Sequence, residues 1–161
     1  MSGLGSKYLD PTLPGVILSN AQVQFLLAES ANEGYISGGI SAALDYYRKG
    51  VTARFAFNGL DATAYLANED QYFNSQSSAR EKIATQEWLA LFGQGFETWS
   101  EWRRTGIPVL TPAVDGASLS TGIPSRLYYP TDEASLNQAN YNEASERLGG
   151  DKLDSKLFWQ Q

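Results

Sequence analysis

The stretch FGQGFETWSEWRRTG, Phe92–Gly106, gathers side chains whose types and spacing could do chemistry. Trp99 and Trp102 carry indole faces of the kind on which sugar rings stack. Glu97 and Glu101, four residues apart, form a pair of carboxylates. Arg103 and Arg104 follow as two guanidinium forks. The stretch therefore has three readings: a sugar platform, a glycosidase acid/base pair, or the inside of a helix. A glycosidase pair needs carboxyls about 5–9 Å apart across a cleft, one of them raised in pKa by an apolar pocket. Two acids on a solvated helix face have no such pocket.

The element that must position these groups is a helix. Ser78-Ala79-Arg80-Glu81 reads as a capping box that opens one long helix to Arg104, with Gly106 just past its end. At about 100° per residue, Ala84, Trp88, Leu91, Phe92, Gly95, Phe96, Trp99 and Trp102 fall within an arc of roughly 140°. Lys82, Gln86, Glu87, Gln94, Glu97, Glu101 and Arg104 take the other side. The wheel puts the tryptophans on the packing face and the paired glutamates in solvent, so the reading as core wins over platform and glycosidase. Gly95, within the apolar stripe, predicts close approach of a neighbouring backbone. Arg103 projects near that stripe and needs a partner, a carboxylate or helix-end carbonyls, with Glu29 the first candidate.

Composition narrows the chemistry further. The 161 residues suit one domain, 1–161, able to bury roughly 70% of the surface of its unfolded chain. There is no histidine and no cysteine, which removes the commonest general base, thiolate nucleophiles and the usual soft metal ligands. No cofactor or metal site is read from what remains. Twelve basic against eighteen acidic residues give a net charge of -6, without the basic stripe of a nucleic-acid binder. The N-terminus lacks the charged start and apolar stretch of a signal peptide, and no apolar run approaches the roughly 18 residues of a membrane span. As written, the chain reads as soluble.

The other elements are also helical. Residues 1–18 form an irregular lead-in with Pro11, Pro14 and Gly15. Ser19 and Gln22 make a capping box for a helix to about Glu33, apolar over most of its circumference, with a polar stripe at Gln22, Glu29 and Glu33 and Gly34 as its exit. A second helix spans Ser37–Phe57, where Ile40, Leu44, Tyr47, Val51 and Phe55 keep one face and Asp45, Arg48, Lys49 and Thr52 the other. Gly50 within it costs about 1 kcal/mol against alanine and predicts a bend. A short helix follows from Asp61 to about Asn68, and a final one from Gln138 to Leu148, closed by Gly149 and Gly150. Between them, Pro108, Pro112, Pro124 and Pro130 exclude helix from Gly106 to Pro130. A segment of that length without periodicity is functional or packed as an extended arm. Leu157, Phe158 and Trp159 are expected to anchor the tail on the core. The expected fold is all-α, with tetratricopeptide-like helix pairs and a long irregular Pro/Gly-rich segment near the C-terminus.

Three ordered segments carry a family resemblance: SNAQVQFLLAESANEGYI, KIATQEWLALFGQGFETWSEWRRTGIPVL and IPSRLYYPTDEASLNQANYNEA. Together they resemble the SusD/RagB family of Bacteroidetes nutrient-binding outer-membrane lipoproteins, from about Pro14 to Trp159. The resemblance implies a helical, non-enzymatic protein, lipid-anchored at the cell surface. Such a protein captures oligosaccharides, or in some members peptides, as a lid on a SusC-like TonB-dependent transporter. Family members are considerably longer, and the matching segments belong to their C-terminal part. The lipid-bearing cysteine and the N-terminal repeat helices have no counterpart here, so the chain looks like a C-terminal fragment or an unusually short relative. Where relatives often carry two arginines, this sequence has Ser125-Arg126.

Ligand contacts do not carry over from those motifs. Tyr72 and Phe73 lie in a polar loop among Asn68, Gln71, Asn74 and Gln76, and Tyr128 and Tyr129 close the Pro-rich segment. These four are the candidate glycan-binding residues; the plain alternative is that each plugs its loop onto the core. Glu69 and Asp70, or the stretch DEASL, lack the ligand spacing of a calcium loop. A helical scaffold with no ligand site of its own is the second reading of the chain.

Overall fold

The computed structural model describes residues 3–112 and 122–160. Among them are seven α-helices and three short 3-10 turns, with no strand. The helices are α1 (Asn20–Asn32), α2 (Gly39–Phe57), α3 (Thr63–Leu66), α4 (Gln76–Ala90), α5 (Gly95–Thr105), α6 (Thr131–Leu136) and α7 (Gln138–Arg147). The chain packs as two compact units, Met1–Gly95 and Phe96–Gln161. The all-α class is as expected. Part of the Pro-rich segment, residues 113–121, lies outside the described residues.

Local chemistry sets the helix ends of the first unit. Ser19, extended at φ -94° and ψ 154°, accepts the Gln22 amide at 3.1 Å and starts α1. Gly34 lies just beyond its last turn at φ +80°. For α4 the cap is Ser75, not Ser78: the Ser75 hydroxyl accepts the Ser78 amide at 3.3 Å, so the helix begins earlier than the capping-box reading places it.

α1 and α2 form an expected helix pair, and α4 packs on both, chiefly on α1. The core is built from Phe25, Tyr47, Val51 and Ile83, all essentially without exposure, between alanines 21, 28, 31, 43 and 79. Small residues on α1 let α2 approach closely. At Gly50 a methyl group would stand 2.6–2.9 Å from three atoms of the Phe25 ring. Glycine is there to seat a ring, and α2 runs unbroken across it. Gln22, expected on a polar stripe, is buried instead. The C-terminus of α1 is tied to the start of α4 by a reciprocal amide pair: Asn32 Nδ2 donates to the Gln76 carbonyl at 3.0 Å, and Gln76 Nε2 to the Asn32 carbonyl at 2.8 Å. The two nitrogens of Arg80 grip the Glu33 carboxylate at 2.9 and 2.6 Å beside them.

The long helix expected from Ser78 to Arg104 is two helices. After α4 the amides tighten into turns, with Leu91 bonding the Glu87 carbonyl, Phe92 that of Leu89 and Gln94 that of Leu91. Gly93 then takes φ +93°, a conformation glycine reaches without steric cost. A methyl group at Gly95 would meet nothing within 4 Å, so no backbone approaches there.

The second unit is braced by loops more than by helix pairing. Ser125 and Arg126 donate their amides to the Leu153 carbonyl at 2.8 and 3.1 Å, and Ser125 Oγ reaches the carbonyls of Leu153 and Ser155. The Pro-rich segment is thereby stitched to the chain that follows α7. In the tail, Phe158 is exposed; contact comes from Trp159, 5.1 Å from the Arg103 guanidinium, and from Gln160, which donates to the Arg103 carbonyl.

Candidate functional site

Tyr72 ends a 3-10 turn, Glu69–Tyr72, that lies against α4. Its ring is 39% exposed, and the Lys82 ammonium sits 3.7 Å over one face. Phe73, the next residue, is 7% exposed, with its ring 5.0 Å from that of Tyr47. It is the plug that seats the loop. Behind it the Tyr47 hydroxyl donates to Glu69 Oε2 at 2.6 Å, and Lys82 Nζ lies 3.3 Å from the same oxygen. Burial, and then the bond to Glu69, push the Tyr47 hydroxyl well above the usual phenol range. Asp70 pairs with Arg48. These carboxylates are thus committed to cations and a hydroxyl. Among the described residues no three histidine, cysteine or acidic side chains gather as a metal site.

In the second unit Tyr128 is 41% exposed and Tyr129 half-buried. The Tyr129 ring is taken by the Arg126 guanidinium at 4.7 Å and by the edge of Tyr141 at 6.0 Å. Arg126 Nη1 meets Asp151 Oδ1 at 2.5 Å, and Asp151 also accepts the Tyr129 amide and the Tyr141 hydroxyl. Of the four aromatics proposed from sequence, Tyr72 and Tyr128 thus keep open ring surface, whereas Phe73 and Tyr129 are held by neighbours.

The chemistry-bearing stretch around α5 turns out to be structural. Trp99 Nε1 donates to the Pro124 carbonyl at 2.7 Å and Trp102 Nε1 to that of Pro108 at 3.2 Å; both indoles are half-buried. Trp88 is half-buried as well, while Phe92 and Phe96 are exposed, so the expected apolar arc is only partly a packing face. Glu87 and Glu101, expected in solvent, are buried. Arg104 holds Glu101 with two nitrogens at 2.9 and 3.0 Å, an i,i+3 pairing that lets the acid turn inward. Arg103 takes no glutamate: its Nη1 donates to the Ser125 carbonyl at 2.8 Å and its guanidinium stacks 3.9 Å over the Trp99 ring. Partial burial lowers its pKa from the ordinary value. A planar cation finds enough in one carbonyl and one indole face to replace the expected carboxylate.

A cavity of about 420 Å³ in the first unit was not foreseen. The lead-in closes it through Tyr8, Leu13 and Val16 against Arg54 and Phe57 of α2 and Phe92 after α4. The lead-in has no periodicity that would bring it to the end of α2; its local signal is Tyr8 beside the breakers Pro11 and Pro14.

Trp99, Trp102, Arg103, Ser125 and Arg126 thus fasten the scaffold of the second unit. Residues 1–130 match a SusD-like family model described as starch-binding and associating with the outer membrane. The chain belongs to the SusD/RagB family. A solved SusD-like structure from Bacteroidetes AC2a is 25% identical, with a TM-score of 0.83 over 98% of this chain and 32% of its own. A chitin-binding protein is 36% identical, with a TM-score of 0.67 over 88% of this chain and 32% of its own. The chain therefore spans about a third of the length of these two solved proteins. No curated protein matches it.

Proposed function

We propose that this chain belongs to a non-catalytic carbohydrate-binding component of a cell-surface uptake system, working with a SusC-like TonB-dependent transporter. The observation that carries this reading is the family match over residues 1–130 together with a SusD-like fold over 98% of the chain. The likeness to a chitin-binding protein at 36% identity points to oligosaccharide as the nutrient. The commitment of Glu69, Glu101 and Asp151 to fixed partners favours binding over acid/base chemistry. Tyr72 and Tyr128 are the rings through which sugars stack, with Phe73 and Tyr129 seating their loops. No helix among the described residues is long and apolar enough to cross a membrane; a lipid anchor in the parent protein would hold it at the outer membrane.

Calorimetry with maltooligosaccharides and chitooligosaccharides tests the proposal. Saturable binding without hydrolysis is expected, and Tyr72→Ala or Tyr128→Ala weakens it about threefold to tenfold, the worth of one aromatic contact. Hydrolysis, or no heat with any saccharide, refutes it. A second reading, a helical scaffold without its own ligand site, is favoured by Ile17 and Val109, which are 94% and 95% exposed. It predicts no sugar affinity and an exposed apolar patch above a few hundred Å².

A further inference from the structure

The cavity beside Tyr8 holds an unspent positive charge. Its volume of about 420 Å³ is within the roughly 300–1,000 Å³ of small-ligand sites. Among the described residues no aspartate or glutamate lines it, in a chain whose net charge is -6. Among the described residues Arg54 is its one charged lining residue. Arg54 Nη2 donates to the Tyr8 hydroxyl at 3.3 Å, while Nε and Nη1 have no acceptor among the described residues.

The wall around that fork is rigid and flat-faced. Tyr8 is pinned by donating to Asn58 Oδ1 at 3.0 Å, and its ring meets Phe92 edge-on at 5.2 Å. Phe92 leaves about half of its surface open, and Phe57 lies 5.3 Å below the Arg54 guanidinium. The N-terminal turn of α1 shares the wall and adds a field of the same sign. The charge that selects the ligand is that of Arg54. A guanidinium whose Nε–H and Nη1–H groups still lack acceptors matches a carboxylate, which gives a charge-assisted pair that a neutral hydroxyl cannot. An open phenyl face beside it suits the apolar side of a sugar ring.

We infer that this cavity binds the carboxylate-bearing sugar of an acidic oligosaccharide, a uronic-acid residue, with its carboxylate on Arg54 and its ring against Phe92. The inference rests on the carbohydrate reading and adds to it the class of sugar.

The test is calorimetry of the 161-residue chain with trigalacturonic acid and with a neutral galactose trisaccharide of the same linkage. The acidic probe binds at least about tenfold tighter, as one charge-assisted pair provides. Arg54→Gln abolishes that preference, and Phe92→Ala, which removes an exposed ring and leaves the core intact, weakens the acidic probe severalfold. Circular dichroism checks that both variants fold. Equal affinity for the two probes, or a preference that survives Arg54→Gln, overturns the inference. If malto- or chitooligosaccharides bind while trigalacturonic acid does not, the inference falls and the carbohydrate reading stands. If no saccharide binds, both fall.

Discussion

The Arg126 guanidinium and the Asp151 carboxylate meet at 2.5 Å with 7% and 11% of their side chains exposed, joining the Pro-rich segment to the loop after α7. Removing one partner of a buried pair strands the other charge, at a cost of about 3–5 kcal/mol. Asp151→Ala should therefore release the segment. Hydrogen exchange would read it directly, with the amides of Ser125, Arg126 and Tyr129 exchanging faster. Arg126→Met combined with Asp151→Leu should recover much of the loss, because no charge is left uncompensated. Unchanged protection in Asp151→Ala would show that the pair does not hold the segment.

Gly50→Ala sets two effects against each other. Alanine gains about 1 kcal/mol of helix propensity, but its methyl would stand 2.6–2.9 Å from the Phe25 ring, which has no exposure and no room to retreat. Overpacking of this kind costs about 1–3 kcal/mol, and the ring's confinement puts the cost at the upper end. The net expectation is a loss of about 1–2 kcal/mol in urea denaturation. Adding Phe25→Leu to Gly50→Ala should give a double mutant more stable than the sum of the single changes. A more stable Gly50→Ala would contradict the packing described.

Tyr47 makes the protein sensitive to alkali. Its hydroxyl is neutral when protonated, and its folded pKa is raised above the unfolded value of 10.0 by burial and by the bond to Glu69. The stabilisation is complete below the unfolded value. As pH rises past about 10 the unfolded chain sheds that proton first, so stability falls. Absorbance titration of tyrosinate should show one of the nine tyrosines ionising only with unfolding. Tyr47→Phe should flatten the decline above about pH 10, even though it also lowers stability at neutral pH. An equally steep decline in that variant would assign the alkaline transition elsewhere.

The helix ends of the first unit could be read from sequence because their causes are local. Ser19 caps its own first turn, and Gly34 takes the exit of α1, using atoms within a few residues of each other. The α4–α5 break could not be read the same way, since the apolar spacing continues through it; the local sign is the two glycines flanking Gln94, of which Gly93 takes φ +93°. Burial of Glu101 goes with the two bonds that Arg104 supplies to it, and the position of Arg103 with a carbonyl 22 residues away. A helical wheel contains neither fact. The four candidate aromatics divided for the same reason: whether Phe73 or Tyr72 meets solvent is decided by Tyr47 and Lys82, which belong to other elements.

Arg103 offers a last test, because its contacts with Ser125 and Trp99 ask for different properties of a cation. The Ser125 carbonyl needs a directed N–H, and the Trp99 face needs a flat, weakly hydrated charge. Lysine can reach a carbonyl but cannot also stack as a plane. Arg103→Lys should thus lose the cation–π part, about 0.5–1 kcal/mol at a half-exposed site. Arg103→Ala should lose the hydrogen bond as well, for about 1–2 kcal/mol in all. Urea denaturation followed by tryptophan fluorescence would measure both. The order arginine, lysine, alanine is the expected result. If lysine equals arginine, the stack on Trp99 contributes nothing; if alanine also equals arginine, Arg103 does not fasten the Pro-rich segment.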